Sequence, residues 1–358
     1  MSYFKRKFDA MVAAGHPRVS FIAYFDRFWQ RVGPPRHRPL IVVAFLLSAC
    51  HPAEYAEQPA IGISFETLQT EYWVASSEAL KAECTARGIR TLEAVANGDA
   101  NRQFEQVNNF IARSVDGIVI APKDGHTIIP IIKAANRAGI PIVIYNRLPA
   151  RNQGDYTTVV ADNFAITRQT VRYMAELAKE RSTPTQAMIL IGDLGDINAV
   201  KRREGFEAAL AEYPEIEVVA EVPTEWNQEK ALAGVTNALQ AHPDINFIFS
   251  SSDFLFPSVV SALKNVGKYH PVGHPQHVLL GGFDGDATAY QMLVNNYLDA
   301  DGVQDVYYEC AQAVEAIRQR WAGQPVDSVL VDPGFVIHQK NLKEKADQMW
   351  GAVIAQQP

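Results

Sequence analysis

Asn146 and Arg147 close the run Gly139-Ile-Pro-Ile-Val-Ile-Tyr145, so an amide and a guanidinium, two planar sets of hydrogen-bonding atoms, follow directly on a continuous apolar stretch. A second run, Asp116-Gly-Ile-Val-Ile-Ala121, also leads into polar residues, Lys123 and Asp124. Between them, His126 to Ala138 carries Ile128, Ile131, Ile132 and Ala135 at helical spacing. The pattern is a βαβ unit whose apolar strands are buried on both faces, as in a parallel sheet. Ligands of open parallel sheets gather beyond the carboxyl ends of the strands, which is where Asn146 and Arg147 stand.

Other reactive-looking groups carry less. His270, His274 and His277 share a loop with Pro271 and Pro275, and three imidazoles that close could bind zinc or copper, but no cysteine or carboxylate cluster completes a site and a solvent loop is the stronger reading. Asp193, Asp196 and Asn198 resemble a calcium loop until Gly195 and Ile197 are seen at the alternate ligand positions. There is no P-loop, dinucleotide fingerprint, nucleophile elbow or His-Glu-x-x-His motif. The expectation is therefore a binding protein without enzymatic activity, cofactor or metal.

The elements that must position these residues alternate from Ile61 onward. Strands are expected at about 61–65, 89–95, 117–121, 140–145, 157–161, 186–192, 216–222, 245–250, 277–283, 297–302 and 334–338. Helical patterns lie between, at about 72–87, 101–114, 126–138, 163–180, 198–212, 227–241, 254–267, 286–295 and 305–322, and an amphipathic tail helix follows from about 341. That is too many βα units for one ordinary sheet, and the 358 residues, 47% of them hydrophobic, divide naturally into two similar α/β halves meeting near Ala161-Asp162. A formal charge of −7 argues against a nucleic-acid partner, because phosphate binding needs clustered Lys and Arg.

Residues 1–50 read as a lipoprotein-type signal region. Leu40 to Ala49 is an apolar run too short to span a bilayer, and Leu47-Ser-Ala-Cys50 resembles a bacterial lipobox, whose cysteine is lipidated. The alternative is a buried strand that happens to end in cysteine. Residues 51–59, polar and containing two prolines, read as a tether. Cys84 and Cys310 remain, either as a disulfide, which an oxidising compartment permits, or as free core residues.

The order of the units and several motifs resemble the sugar-binding type 1 periplasmic binding proteins, the ribose- and galactose-binding receptors of ABC importers. The resemblance covers residues 60 to about 340. It rests on Val119-Ile-Ala-Pro-Lys-Asp124, Ile140-Pro-Ile-Val-Ile-Tyr-Asn-Arg147, Ala161-Asp-Asn163, Lys201-Arg-Arg-Glu-Gly-Phe206, His242-Pro-Asp244, Gly282-Phe-Asp-Gly285 and Gly323-Gln-Pro325, which occur in the family's order. It implies two Rossmann-like doubly wound lobes with a central cleft and three hinge crossings. The lobes would comprise 60–161 plus 304–332 and 162–303 plus 333–340, with 341–358 as the tail helix.

In such a cleft, planar groups pair with adjacent sugar hydroxyls and aromatic faces cover the ring. Carried over motif by motif, the resemblance implies ligand contacts from Tyr72, Trp73, Asn146, Arg147, Arg202, Trp226, Ser252, Asp284 and Gln304, with Glu66, Thr70, Lys123 and Asp124 as further candidates. Trp73 also fits a core role, since Trp73, Ser77, Leu80 and Cys84 share one helical face. Asp162 and Asn163 read as caps of the following helix rather than as ligands. Asn146 stands where ribose receptors have Asp, Ala121 and Ser252 where they have Asn, so ribose does not transfer with the fold.

The implied function is an extracytoplasmic lipoprotein, monomeric, held in the cell envelope by Cys50, that captures a small sugar or polyol by hinge closure and delivers it to an ABC permease. A sensing receptor for a chemoreceptor or sensor kinase is the alternative. A repressor shares the two-lobed core but would carry an amino-terminal helix-turn-helix, where this chain has the apolar run and Cys50.

Overall fold

The structure, a computed structural model, describes residues 58–356. The signal region, Cys50 and most of the tether lie outside the described residues. In chain order the elements are β1 Ala60–Phe65, α1 Glu71–Ala86, β2 Arg90–Val95, α2 Ala100–Ala112, β3 Gly117–Ala121, α3 Ile128–Arg137, β4 Ile142–Tyr145 and β5 Thr157–Ala161. There follow α4 Asn163–Lys179, β6 Thr185–Ile191, α5 Ile197–Leu210, β7 Ile216–Pro223, α6 Gln228–Ala241, β8 Ile245–Ser250, α7 Phe256–Asn265, β9 Leu279–Asp284, α8 Ala287–Val294 and β10 Ala300–Val303. The chain closes with α9 Val306–Trp321, β11 Val329–Asp332, β12 Phe335–His338, α10 Leu342–Lys345 and α11 Trp350–Ala355.

Twelve strands form two six-stranded sheets of the same topology. The first is ordered β2-β1-β3-β4-β5-β11 and is parallel throughout. The second is ordered β7-β6-β8-β9-β10-β12, parallel except that β12 runs against β10. In each, the order reverses between the first strand and the third, β1 and β3 or β6 and β8, and at such a switch point a crevice opens beyond the strand ends. Strands β1, β3, β4 and β9 are buried along their whole length and β8 at every position but Asn246, as their largely apolar sequences require. The chain passes from the first sheet to the second after β5, back after β10, and across again between β11 and β12.

Six helices begin with an Asp or Asn whose side chain accepts amide hydrogens of the first turn: Asp99, Asp162, Asp196, Asn227, Asp286 and Asp305. Such caps sit just past strand ends, so the residues that start the helices also furnish the crevice.

Two expectations are corrected, and the two readings of the cysteines are decided for free core residues. Strand β11, absent from the sequence reading, forms the edge of the first sheet. The expected single tail helix is two short helices and a 3-10 turn, because Met349 turns extended (φ −79°, ψ 118°) and brings Trp350 into the interior. Cys84 and Cys310 are both free and buried; burial pushes the Cys84 thiol up to about 12, which leaves it an unreactive core residue.

Candidate functional site

The expected site residues lie where strands end. Glu66 follows β1, Lys123 follows β3, and Asn146 and Arg147 follow β4; Trp226 follows β7, Ser252 follows β8, Asp284 ends β9 and Gln304 follows β10. Register aligns them, since Phe65 lies opposite Ala121 and Leu190 opposite Ser250. Three of these positions have left-handed backbone: Asn146 (φ 69°), Trp226 (φ 55°) and Asp284 (φ 129°). Non-glycine residues held there cost on the order of 1–3 kcal/mol each, and persist where the surroundings over-determine them, as at ligand clamps.

Arg147 organises one rim. Its Nη1 donates to the carbonyls of Pro122 (3.0 Å) and Lys123 (3.3 Å) and to the Glu66 carboxylate, while Nε donates to Asp196 Oδ2 at 3.2 Å. Burial alone would lower the guanidinium's pKa, but the carboxylates of Asp196 and Glu66 outweigh it and raise the pKa. Arg147 also lies over the Trp73 ring at 5.5 Å. Asp196 Oδ2 takes a second hydrogen bond, from Trp226 Nε1 at 3.2 Å. The Trp226 ring can lie flat there because residue 192 is glycine: a Cβ at that position would fall 2.1 Å from it.

Arg202 organises the floor. Nη1 donates to Ser251 O (2.6 Å) and Asp284 Oδ1 (3.1 Å), Nε donates to Asn163 Oδ1 (2.7 Å), and the guanidinium stacks 3.6 Å from the Phe283 ring centre. Asp284 also accepts from Gln304 Nε2 (2.8 Å) and Ser252 Oγ (2.5 Å). Burial raises the Asp284 pKa, with Arg202 and Ser252 opposing it.

Asn146 joins the two sides. Its Nδ2 donates to Tyr72 Oη at 2.8 Å, and its Oδ1 accepts from Asn198 Nδ2 at 2.8 Å. The Tyr72 hydroxyl donates onward to Glu309 Oε2 at 2.7 Å. Glu309 is fully buried; burial, then the neighbouring Asp332 charge, pushes its carboxyl up to about 8.

Thus Tyr72, Trp73, Asn146, Arg147, Arg202, Trp226, Ser252, Asp284, Gln304 and Glu66 are drawn into linked groups by these contacts. The Lys123 side chain reaches the group through Glu66, with 3.6 Å between Nζ and Oε2. Asp124 is spent on the start of α3, accepting from His126 N (2.8 Å), Thr127 N (2.9 Å) and Thr127 Oγ1 (2.8 Å). Thr70 occupies the N-cap position of α1 and makes no capping hydrogen bond.

Several residues were missed or misread. Asp162 is a cap, with Oδ1 accepting from Ala165 N at 2.9 Å, but Asn163 is a buried partner of Arg202 and also donates to Asn198 Oδ1 at 3.3 Å. Asp196, dismissed with the calcium-loop pattern, caps α5 through Oδ1 and holds Arg147 and Trp226 through Oδ2. A cap after a strand end was the available signal. In the histidine loop, His277 turns inward, buried, with Nε2 2.9 Å from Asp299 Oδ2 and Nδ1 2.7 Å from His270 O. It is a packing residue rather than part of a solvent loop. Two open grooves of about 600 and 660 Å³, one along Glu71, Tyr269 and Tyr297, the other along Asp116, Asp155 and Trp321, are lined by none of the clustered residues.

Similarity to known proteins agrees with this geometry. The chain is 26% identical over 305 residues to the ribose import binding protein of Bacillus subtilis, covering 82% of this chain and 95% of that one. A crystal structure of an ABC transporter periplasmic solute-binding protein from Actinobacillus succinogenes with bound D-allose superposes with a TM-score of 0.74 at 27% identity, covering 80% of this chain and 99% of that one. An ABC transporter solute-binding protein from Bacillus halodurans with bound myo-inositol gives a TM-score of 0.70 at 26% identity, covering 81% and 98%. Residues 61–325 match the family model of the periplasmic binding protein domain, and with two sheets of like strand order and polar clusters at the strand ends the chain belongs to that family of binding proteins.

Proposed function

We propose that this chain is an extracytoplasmic receptor that captures a small sugar or polyol between its two lobes and delivers it to an ABC permease. The observation that carries the reading is the convergence, at strand ends of both sheets, of two guanidinium groups, Arg147 paired with Glu66 and Asp196 and the buried Arg202 paired with Asp284, with Trp73 and Trp226. Fixed planar donors and acceptors suit vicinal hydroxyls, and aromatic faces suit the C–H faces of a ring. Relatives that bind D-allose or myo-inositol, or are named for ribose import, support the substrate class. Asn146, Arg147, Arg202, Asp284 and Gln304 form the polar clamp, with Tyr72, Trp73 and Trp226 as aromatic walls. Binding favours the closed arrangement because only there do groups of both lobes meet the ligand at once, with Asn146–Asn198 and Arg147–Asp196 joining the lobes beside it. Cys50, in Leu47-Ser-Ala-Cys50, is the proposed lipid attachment point.

A thermal-shift screen of the chain from residue 51 against pentoses, hexoses and polyols tests the reading. A ligand at 100 times its Kd stabilises the folded form by about 2.7 kcal/mol, enough to raise the Tm by several degrees. If no sugar or polyol shifts the transition, the substrate class is wrong. Anchoring is read separately: incorporation of a fatty-acid label by the full chain should vanish in Cys50→Ala.

A further inference from the structure

Beyond β12 the chain returns to the crevice from behind. Met349, Trp350, Gly351 and Ala352 are buried, Trp350 completely. Trp350 Nε1 donates to the carbonyl of Asp284 at 2.8 Å, and Gly351 N donates to the carbonyl of Gly285 at 3.0 Å. This approach tolerates only glycine at 351, since a Cβ there would fall 2.2 Å from the carbonyl carbon of Asp286. The Trp350 ring meets Tyr72 edge-on, with centres 6.2 Å apart at 68°. Trp350 therefore touches one residue of the polar clamp and one aromatic wall, and these belong to different lobes.

We infer that the C-terminal segment 349–355 is part of the binding apparatus, with Trp350 as a positioning residue that holds the Asp284 turn and braces Tyr72 across the crevice, favouring the closed form. Trp350 does not touch the ligand; it fixes two groups that do. The inference rests on the sugar-cleft reading. When the lobes part, Tyr72 on α1 and Asp284 on β9 separate and the indole keeps at most one of them. The brace is complete only in the closed form, so its loss speeds ligand release and leaves capture unchanged.

The test uses the full chain and whichever of D-ribose, D-allose and myo-inositol binds wild type best. Trp350→Phe keeps a ring and removes the N–H donor, which corresponds to a roughly 2- to 10-fold weaker Kd. The weakening should lie in a faster dissociation rate, with the association rate close to wild type; the unliganded Tm should fall as well, because Phe leaves a void where the indole was completely buried. Trp350→Leu should weaken binding further. Wild-type dissociation rates in folded Trp350→Phe would overturn the inference, as would a loss confined to the unliganded Tm. Should wild type bind none of the three, the sugar reading fails, and small-angle scattering of the unliganded full chain judges the tail by itself. A larger radius of gyration in Trp350→Leu or Trp350→Phe than in wild type supports the brace, and equal radii overturn it.

Discussion

Asp284 ties three polar side chains to the tail: its two carboxylate oxygens accept from Arg202, Gln304 and Ser252, and its backbone carbonyl accepts from Trp350. Asp284→Asn leaves the buried Arg202 guanidinium facing a neutral amide, and breaking a buried pair from one side costs roughly 3–5 kcal/mol. Ligand affinity measured by calorimetry should fall at least about 100-fold, and a wild-type Kd in the variant would remove Asp284 from the clamp. Asp284, Arg202 and Arg147 were legible in the sequence because each sits in a motif of recognisable order, and Gln304 because it opens the segment that follows the strand at 297–302. Asn163 and Glu309 were not. Asn163 follows a true cap, and only the fold shows that Arg202 takes its oxygen. Glu309 lies on a predicted helix with nothing local to say that Tyr72, 237 positions away, would be its partner. Side-chain destinations of this kind are set by tertiary packing, which one-dimensional periodicity does not encode.

At the scale of elements, the crevice depends on backbone that approaches closely. Gly192 follows β6 and lies beneath the Trp226 ring. Gly192→Ala should displace that half-exposed ring and weaken binding about 10-fold or more, the order of one aromatic contact and its burial. The Tm should hold, and an equal fall in Tm without loss of affinity would assign Trp226 to the core instead. The interior strands were readable for a physical reason: two buried faces demand unbroken apolar sequence, as in Ile-Val-Ile of β3 and β4. Strand β11, Val-Leu-Val-Asp, is four residues long and mostly uncovered at a sheet edge, so neither length nor alternation announced it. The tail misled differently. Its many charges read as one solvated helix, while a single buried tryptophan decides where it goes.

For the whole molecule, buried carboxyls tie stability to pH. Glu309 is pushed up to about 8, by burial and then Asp332, and Asp286 to about 7, chiefly by burial against the amide of Ala289. Asp253 and Asp301, buried together beside Gly282, are raised by burial, and Asp253 further by Asp301. Each folded-state pKa lies above its unfolded value. Stability from these groups is therefore complete below the ordinary carboxylate range and is lost as pH rises through the folded values, by up to about 1.4 kcal/mol per pH unit per group. Glu309→Gln should flatten the fall in urea midpoint between pH 5 and 8 and leave the slope above pH 9 unchanged. An identical profile would mean that Glu309 stays ionised in the fold.

The three passages between sheets also set the order in which the molecule can be made. During synthesis β1 to β5 emerge first, yet their sheet lacks its outer strand β11 and the cover of α9, which packs against β3, β4 and β5, until the second sheet has five of its strands. The edge of β5 from Thr158 to Ala161 waits for Val329 to Asp332. A nascent chain halted after Val303 would hold ten of the twelve strands, an open edge on each sheet and an uncovered apolar face, so the later residues act as a checkpoint on the earlier ones.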